Sequence, residues 1–230
     1  MPIFYQPLIP EGTHSLDQEE ARHATKVLRL QSGDPLELTD GKGNLYKAVI
    51  TELSKSACHF SINETVSVPR RKYSIHIAIA PTKNIDRIEW FVEKATEMGI
   101  DKISFIQCKN SERKVVNMER IAKKAVSAMK QSGQAWLPDL RPICPFDTIL
   151  DEPCDQKYIA YVDQSNTRHL KEAPLQSNYL VLIGPEGDFT QQEIHSATGK
   201  GFQKISLGTT TLRTETAGIV ACHTLHLING

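Results

Sequence analysis

Along the first third of the chain, apolar and polar residues alternate in short runs, and helical spacing appears only once. Ser15–Gln18 has the form of a capping box, and Ala21, Ala24, Val27 and Leu28 give the helix that follows an apolar side. Three alternating segments, Leu36–Leu38, Tyr46–Ile50 and Cys58–Ile62, predict strands. The turn residues Asp40–Asn44 separate the first two, and Ser54–Ser56 separate the last two. Several short strands linked this way predict a small barrel. Val68-Pro69-Arg70-Arg71-Lys72 then reads as a linker, with domains expected at 1–72 and 73–230.

Beyond the linker the pattern changes to strand and helix in alternation. Ile75–Ala80 is a strand, and Ile88, Phe91, Val92, Ala95 and Met98 mark the apolar face of a helix over 86–98 that stops at Gly99. Trp90 and Phe91 are expected in the core. Lys102–Ile106 predicts a strand, and Met118, Ile121, Ala122, Ala125 and Met129 predict another helix. Tyr158–Val162 and Tyr179–Ile183 are nearly continuous apolar runs, which fits strands buried on both faces of a parallel sheet. The fold class is therefore α/β.

Composition narrows the function. The chain has 230 residues and no net charge, with 27 Lys+Arg against 27 Asp+Glu. Nucleic-acid binding must then rest on local patches rather than on the field of the whole protein. Five cysteines without C-x-x-C spacing argue against a disulfide framework or a zinc ribbon. His223 and His226 lack acidic or cysteine partners at metal-ligand spacing, so no metal is expected. The chain opens without a basic segment leading into an apolar run, and none of its apolar runs is long enough to span a bilayer. A cytoplasmic protein is expected, with no membrane partner.

The chemistry concentrates near the carboxyl terminus. The strand ending at Ile183 leads into Gly184-Pro185-Glu186-Gly187-Asp188-Phe189. A helix capped by Thr190 and Glu193 follows, then the strand Lys204–Leu207, the loop Gly208–Glu215 and a last helix from about Thr216. In open α/β sheets ligands bind beyond the carboxyl ends of strands. Glycines at 184, 187 and 208 let backbone groups approach a flat ligand, although ordinary strand-to-helix turns carry the same residues.

Ile183-Gly-Pro-Glu-Gly187, together with Leu207-Gly208 and Leu212-Arg213-Thr214-Glu215-Thr216-Ala217, resembles the SPOUT-class methyltransferases. More narrowly it resembles the RsmE family, which methylates N3 of a uridine in small-subunit ribosomal RNA. Weaker support comes from His23–Arg29 with Gly33-Asp34, from Glu89, Lys94, Glu97 and Gly99, and from Gln131-Ser-Gly133. Lys26 and Gln134 stand where arginine is usual, and Asp188 stands where a second glycine is frequent. The resemblance implies a PUA-like β-barrel followed by a trefoil-knotted domain with a mostly parallel sheet. It further implies a homodimer and an S-adenosylmethionine site. The residues it assigns to the cofactor are Val162, Ile183, Gly184, Pro185, Glu186 and Gly187 from the first half of the site. Leu207, Gly208, Leu212, Thr214, Thr216 and Ala217 complete it.

Uridine N3 carries a proton that must leave before the methyl arrives, and a fixed cation stabilises the resulting anion. Arg213 is the candidate for that cation; pairing with Glu186 or Glu215 to hold the loops is the alternative. Glu215 is a candidate proton acceptor, or a helix cap. For RNA, Arg22, Lys26 and Arg29 recur at helical spacing beside His23, Arg70 and Arg71 add a cationic linker, and Lys83, Arg87 and Lys94 fall along another helix. Phe4, Tyr5 and Trp136 are the aromatic candidates for stacking on bases. Two other readings share these features: a non-catalytic ribosome-assembly protein, and a methyltransferase for a different base.

Overall fold

The computed structural model describes residues 2–54, 57–161 and 168–230. Two compact units emerge. The first comprises Met1–Arg70 with Val126–Leu137, and the second comprises Arg71–Ala125 with Pro138–Gly230. The stretch 126–137, which the sequence pattern assigns to the later domain, thus belongs with the earlier one.

The first unit is built on β1 (Ile3–Tyr5), β2 (Ser15–Leu16), α1 (Gln18–Arg22), β3 (Pro35–Thr39), β4 (Asn44–Leu53) and β5 (Cys58–Ser67). The sheet order is β1-β3-β4-β5-β2, antiparallel except for the parallel β1–β3 pair. The Gln6 side chain, just past β1, donates to the Ser15 carbonyl in β2, so the two edges curl toward each other as a nearly closed barrel. Phe4, Leu36, Leu38, Ile50 and Phe60 fill it. Trp136 lies against Gly43, whose backbone sits at φ 101°; a Cβ there would come within 2.7 Å of the indole, so only glycine fits.

The amino-terminal helix starts later than its pattern predicts. Ser15 and Leu16 are β2, and Asp17 is the N-cap, accepting the Glu20 N–H at 2.8 Å. After Arg22 the helix widens into a π-helical turn, His23–Val27, with Leu28 N–H donating to His23 C=O at 3.1 Å. The extra residue in that turn rotates Val27 away from the core. Ala21 and Ala24 are buried as expected, and Val27 is 64% exposed.

The second unit carries β6 (Ser74–Ile79), α2 (Ile85–Glu97), β7 (Lys102–Gln107), α3 (Met118–Ser132), β8 (Asp139–Pro145), α4 (Phe146–Leu150), β9 (Gln156–Ala160), β10 (Asn178–Ile183), α5 (Gln191–Gly199), β11 (Gln203–Ile205) and α6 (Thr214–Asn229); the unit division falls within α3. Its strands run β11-β9-β10-β6-β7-β8, and every neighbouring pair is parallel. The apolar runs of β6 and β10 are buried along their length, as parallel strands covered on both faces require. Helix α6 packs closely on α2 at Gly218, where a Cβ would strike the Phe91 ring. Phe91 is buried, but Trp90, a third of a turn away, is 44% exposed and is not a core residue. No described helix is long and apolar enough to cross a membrane.

Candidate active site at the carboxyl ends of the parallel strands

Strands β9, β10 and β11 are neighbours, and their carboxyl ends open on a cavity of about 790 Å³. One wall is the turn from Gly184 to Phe189. A Cβ at Gly184 would lie 3.1 Å from the Phe189 ring, tighter than ordinary contact, and Phe189 packs on Phe146 at 5.6 Å between centroids. Asp188 takes φ 58°, the left-handed region that explains a glycine preference at this point. Its Oδ1 accepts the Phe189 N–H at 2.7 Å, a local bond that lets aspartate hold the conformation. Burial raises the Asp188 carboxyl above its ordinary pKa. Helix α5 then starts with a closed capping box between Thr190 and Glu193.

A loop after β7, not foreseen from the sequence, braces this wall. Asn110 Nδ2 donates to the carbonyls of Gly187 and Asp188, each at 3.0 Å, and Lys109 N–H donates to Glu193 Oε1 at 2.7 Å. Arg113 reaches the other way, donating from Nε to the Thr82 carbonyl at 3.0 Å and from Nη2 to the Lys83 carbonyl at 2.5 Å. The polar run Lys109–Lys114 directly after a buried strand was the available signal.

The opposite wall is the loop from Ser206 to Arg213. Ser206 continues β11 by donating its N–H to Arg168 C=O at 2.8 Å and accepting the Leu170 N–H at 3.1 Å. Gly208, at φ 148°, has open space where a side chain would stand. Thr209, Thr210 and Thr211 follow on the rim. Thr214 Oγ1 donates to the Gly184 carbonyl at 3.0 Å, tying the two loops together.

The structure brings most of the expected cofactor residues into one lining. Ile183, Gly184, Pro185 and Glu186 enter from the first loop, and Leu207, Gly208, Leu212, Thr214 and Ala217 from the second, with Arg213 beside them. Gly187 and Thr216 adjoin the lining without forming it, and Val162 lies outside the described residues. Tyr161 and His169 also line the cavity and were not singled out in the sequence. Arg213 pairs with neither Glu186 nor Glu215. Glu186 accepts the Lys83 N–H at 3.2 Å, while Glu215 is buried with Oε1 3.9 Å from Arg87 Nε. Arg213 is exposed, and among the described residues no ion pair or side-chain hydrogen bond engages it. Glu215 stands in the first turn of α6, away from the cavity lining.

The basic residues divide. Arg22, Lys26 and Arg29 are exposed around the π-helical turn, Arg29 at φ 56°, and His23 packs edge-on to Phe4. Arg70 stacks over Trp136 at 3.9 Å, the indole N–H is bonded to Val68 C=O and Gly43 lies against the ring, so much of this candidate stacking surface is already engaged. Arg71, expected at RNA, is instead held by Asp101 at 2.9 Å, by the Gly99 carbonyl and by His226. Lys94 sits between Glu93 and Glu97, 2.8 Å from each, which raises its pKa and neutralises its field. Lys83 precedes α2 rather than lying on it and pairs with Glu112 at 3.0 Å. Among the described residues no cluster of three or more potential metal ligands occurs.

Comparison with known proteins agrees with this geometry. A family model described as an RNA methyltransferase domain matches residues 69–226, and one described as an RNA methyltransferase PUA domain matches residues 16–63. The chain is 30% identical over 225 residues to a ribosomal RNA small subunit methyltransferase E from Synechocystis, covering 93% of this chain and 72% of that protein. Among solved structures it is similar to a probable rRNA-methyltransferase from Porphyromonas gingivalis, at 42% identity and TM-score 0.92, covering 100% of this chain and 98% of the other. It is also similar to a ribosomal RNA small subunit methyltransferase E from Neisseria gonorrhoeae bound to S-adenosyl methionine, at 27% identity and TM-score 0.88, with the same coverage. The chain belongs to the RNA methyltransferase family, in its ribosomal RNA small subunit methyltransferase E branch, with an amino-terminal PUA domain.

Proposed function

We propose that the protein is an S-adenosylmethionine-dependent methyltransferase acting on N3 of a uridine in small-subunit ribosomal RNA. The observation that carries this reading is the cavity at the carboxyl ends of β9–β11, between two loops whose backbone is open to a ligand and beside an arginine that no described residue pairs. Its volume suits a ligand of this cofactor's size. The open space at Gly208 and the close-packed turn at Gly184 fit backbone recognition of a flat ring. Ile183, Gly184, Leu207, Gly208 and Leu212 would hold the cofactor, which when bound supplies an electrophilic methyl on a sulfonium.

The chain's own part is to make uridine N3 a nucleophile. Arg213, beside the uracil carbonyls, stabilises the anion left when N3 loses its proton. Seating the cofactor and the base in the cavity would displace water from it, which would strengthen that interaction. Glu215 faces Arg87, so orienting that cation suits it better than accepting the proton. The exposed group Arg22, Lys26 and Arg29 supplies phosphate contacts. Trp90 on α2 and Leu227 on α6, 44% and 70% exposed, support a homodimer, and the knotted course of the chain and a cytoplasmic site of action belong to the same reading. Titration with S-adenosylmethionine tests it: at a hundredfold over Kd the cofactor should stabilise the fold by about 2.7 kcal/mol. Labelled methyl should then pass to small-subunit ribosomal RNA and not to transfer RNA. A melting curve indifferent to the cofactor would remove the reading's main support.

A further inference from the structure

His169 stands in the cavity wall, and its surroundings fix where its ring hydrogen lies. The residue is the N-cap of a 3-10 turn, Leu170–Glu172. Its Nδ1 accepts the Lys171 backbone N–H at 3.0 Å, and the His169 backbone N–H donates to Glu172 Oε1 at 3.3 Å, closing a capping box. N-caps usually present a side-chain oxygen. Here the acceptor is a ring nitrogen, and it serves only while unprotonated. The neutral ring must then carry its hydrogen on Nε2. The flanking backbone is fixed too, since Arg168 C=O and Leu170 N–H both bond to Ser206. His169, while it caps this turn, thus offers a hydrogen-bond donor at Nε2.

We propose that His169 binds the cofactor, its Nε2–H donating to an acceptor of S-adenosylmethionine on either the adenosine or the amino-acid carboxylate. The proposal rests on reading the cavity as the S-adenosylmethionine site. A donor whose tautomer is set before the ligand arrives needs no rearrangement on binding, which favours affinity. His169 adds a directional side-chain donor to a lining otherwise rich in backbone groups and threonines.

His169→Asn separates capping from binding, because asparagine is a favoured N-cap but lacks a donor at the reach of Nε2. In the full-length protein, His169→Asn should melt with the wild type and bind S-adenosylmethionine about tenfold more weakly by calorimetry. His169→Ala should bind as weakly and also melt lower. With S-adenosylhomocysteine and adenosine as ligands, weakening of both places the acceptor on the nucleoside, and weakening of the first alone places it on the amino-acid moiety. Nitrogen-15 spectra of labelled histidine should show the Nε2–H tautomer, with the Nε2 signal shifting as S-adenosylmethionine is added. An unchanged affinity in His169→Asn, or an Nε2 signal blind to the cofactor, would overturn the proposal alone. Wild-type protein that does not bind S-adenosylmethionine would overturn the reading of the cavity, and the proposal with it.

Discussion

The two ends of the six-stranded sheet use charge in opposite ways. At the amino ends, Arg71 is held by Asp101 and His226, Lys102 by Glu152, and Asp155 accepts both the backbone N–H and the side-chain amide of Asn178. Asp101 also accepts the Ile75 N–H at 2.8 Å, and His76 Nε2 lies 2.8 Å from Ser104 Oγ. The cavity there, about 390 Å³, is walled by groups already bonded to one another. At the carboxyl ends the cavity is twice as large, and Arg213 stands at its edge without an ion pair among the described residues. Charges that already have partners hold the fold in place. A cation left without one beside a cavity is available to a substrate.

The sharpest way to break that contrast is to remove one arginine from each end. Arg213→Ala should slow single-turnover methyl transfer by about a hundred- to a thousandfold, the scale of losing an oxyanion donor, with cofactor affinity little changed. A normal rate with lost cofactor binding would make the residue structural.

Acid tests the other end. Burial, aided by Lys102, holds the His76 imidazole down at about 3, against 6.5 for a free side chain. In that window the unfolded chain binds a proton and the native protein does not. Stability from this site is therefore complete above pH 6.5 and is lost as pH falls toward 3. Between pH 7 and 4.5 the wild type should lose about 2 kcal/mol more than His76→Gln, measured by urea unfolding. Parallel pH curves would mean that the ring is not kept neutral by burial.

Arg71→Ala should cost about 1–2 kcal/mol, a fall of a few degrees in Tm, because its partners are only partly buried. Methyl transfer per folded molecule should not change. The smallest effect concerns the first unit. Replacing Arg22, Lys26 and Arg29 by alanine should reduce the slope of log K against log salt for RNA binding by up to about 2, at about 0.7 for each phosphate of unpaired RNA that is no longer neutralised. An unchanged slope would make the cluster a solvated face.

Much of this was legible in the chain. The buried runs of β6 and β10 announced a parallel sheet, and Ile183–Gly187 with Leu207–Ala217 announced the cavity. Elements that depend on neighbours were not. β1 and β2 are too short for a period, and β8 is an edge strand that carries two prolines and no fully buried residue. Val27 was misplaced because helical spacing assumes an α-helix, and the chain there is π-helical. Arg71 looked like a free cation in a basic run because its partners lie 30 and 155 residues away. Asn110 and Arg113 act by grasping backbone carbonyls of other loops, which no motif records.

The most direct measurement is nucleoside mass spectrometry of small-subunit ribosomal RNA after incubation with the protein and methyl-labelled S-adenosylmethionine. Label should appear in N3-methyluridine at a single position with the wild type, and should accumulate far more slowly with Arg213→Ala. Label on another base, or none in RNA from a strain lacking the gene, would contradict the assignment.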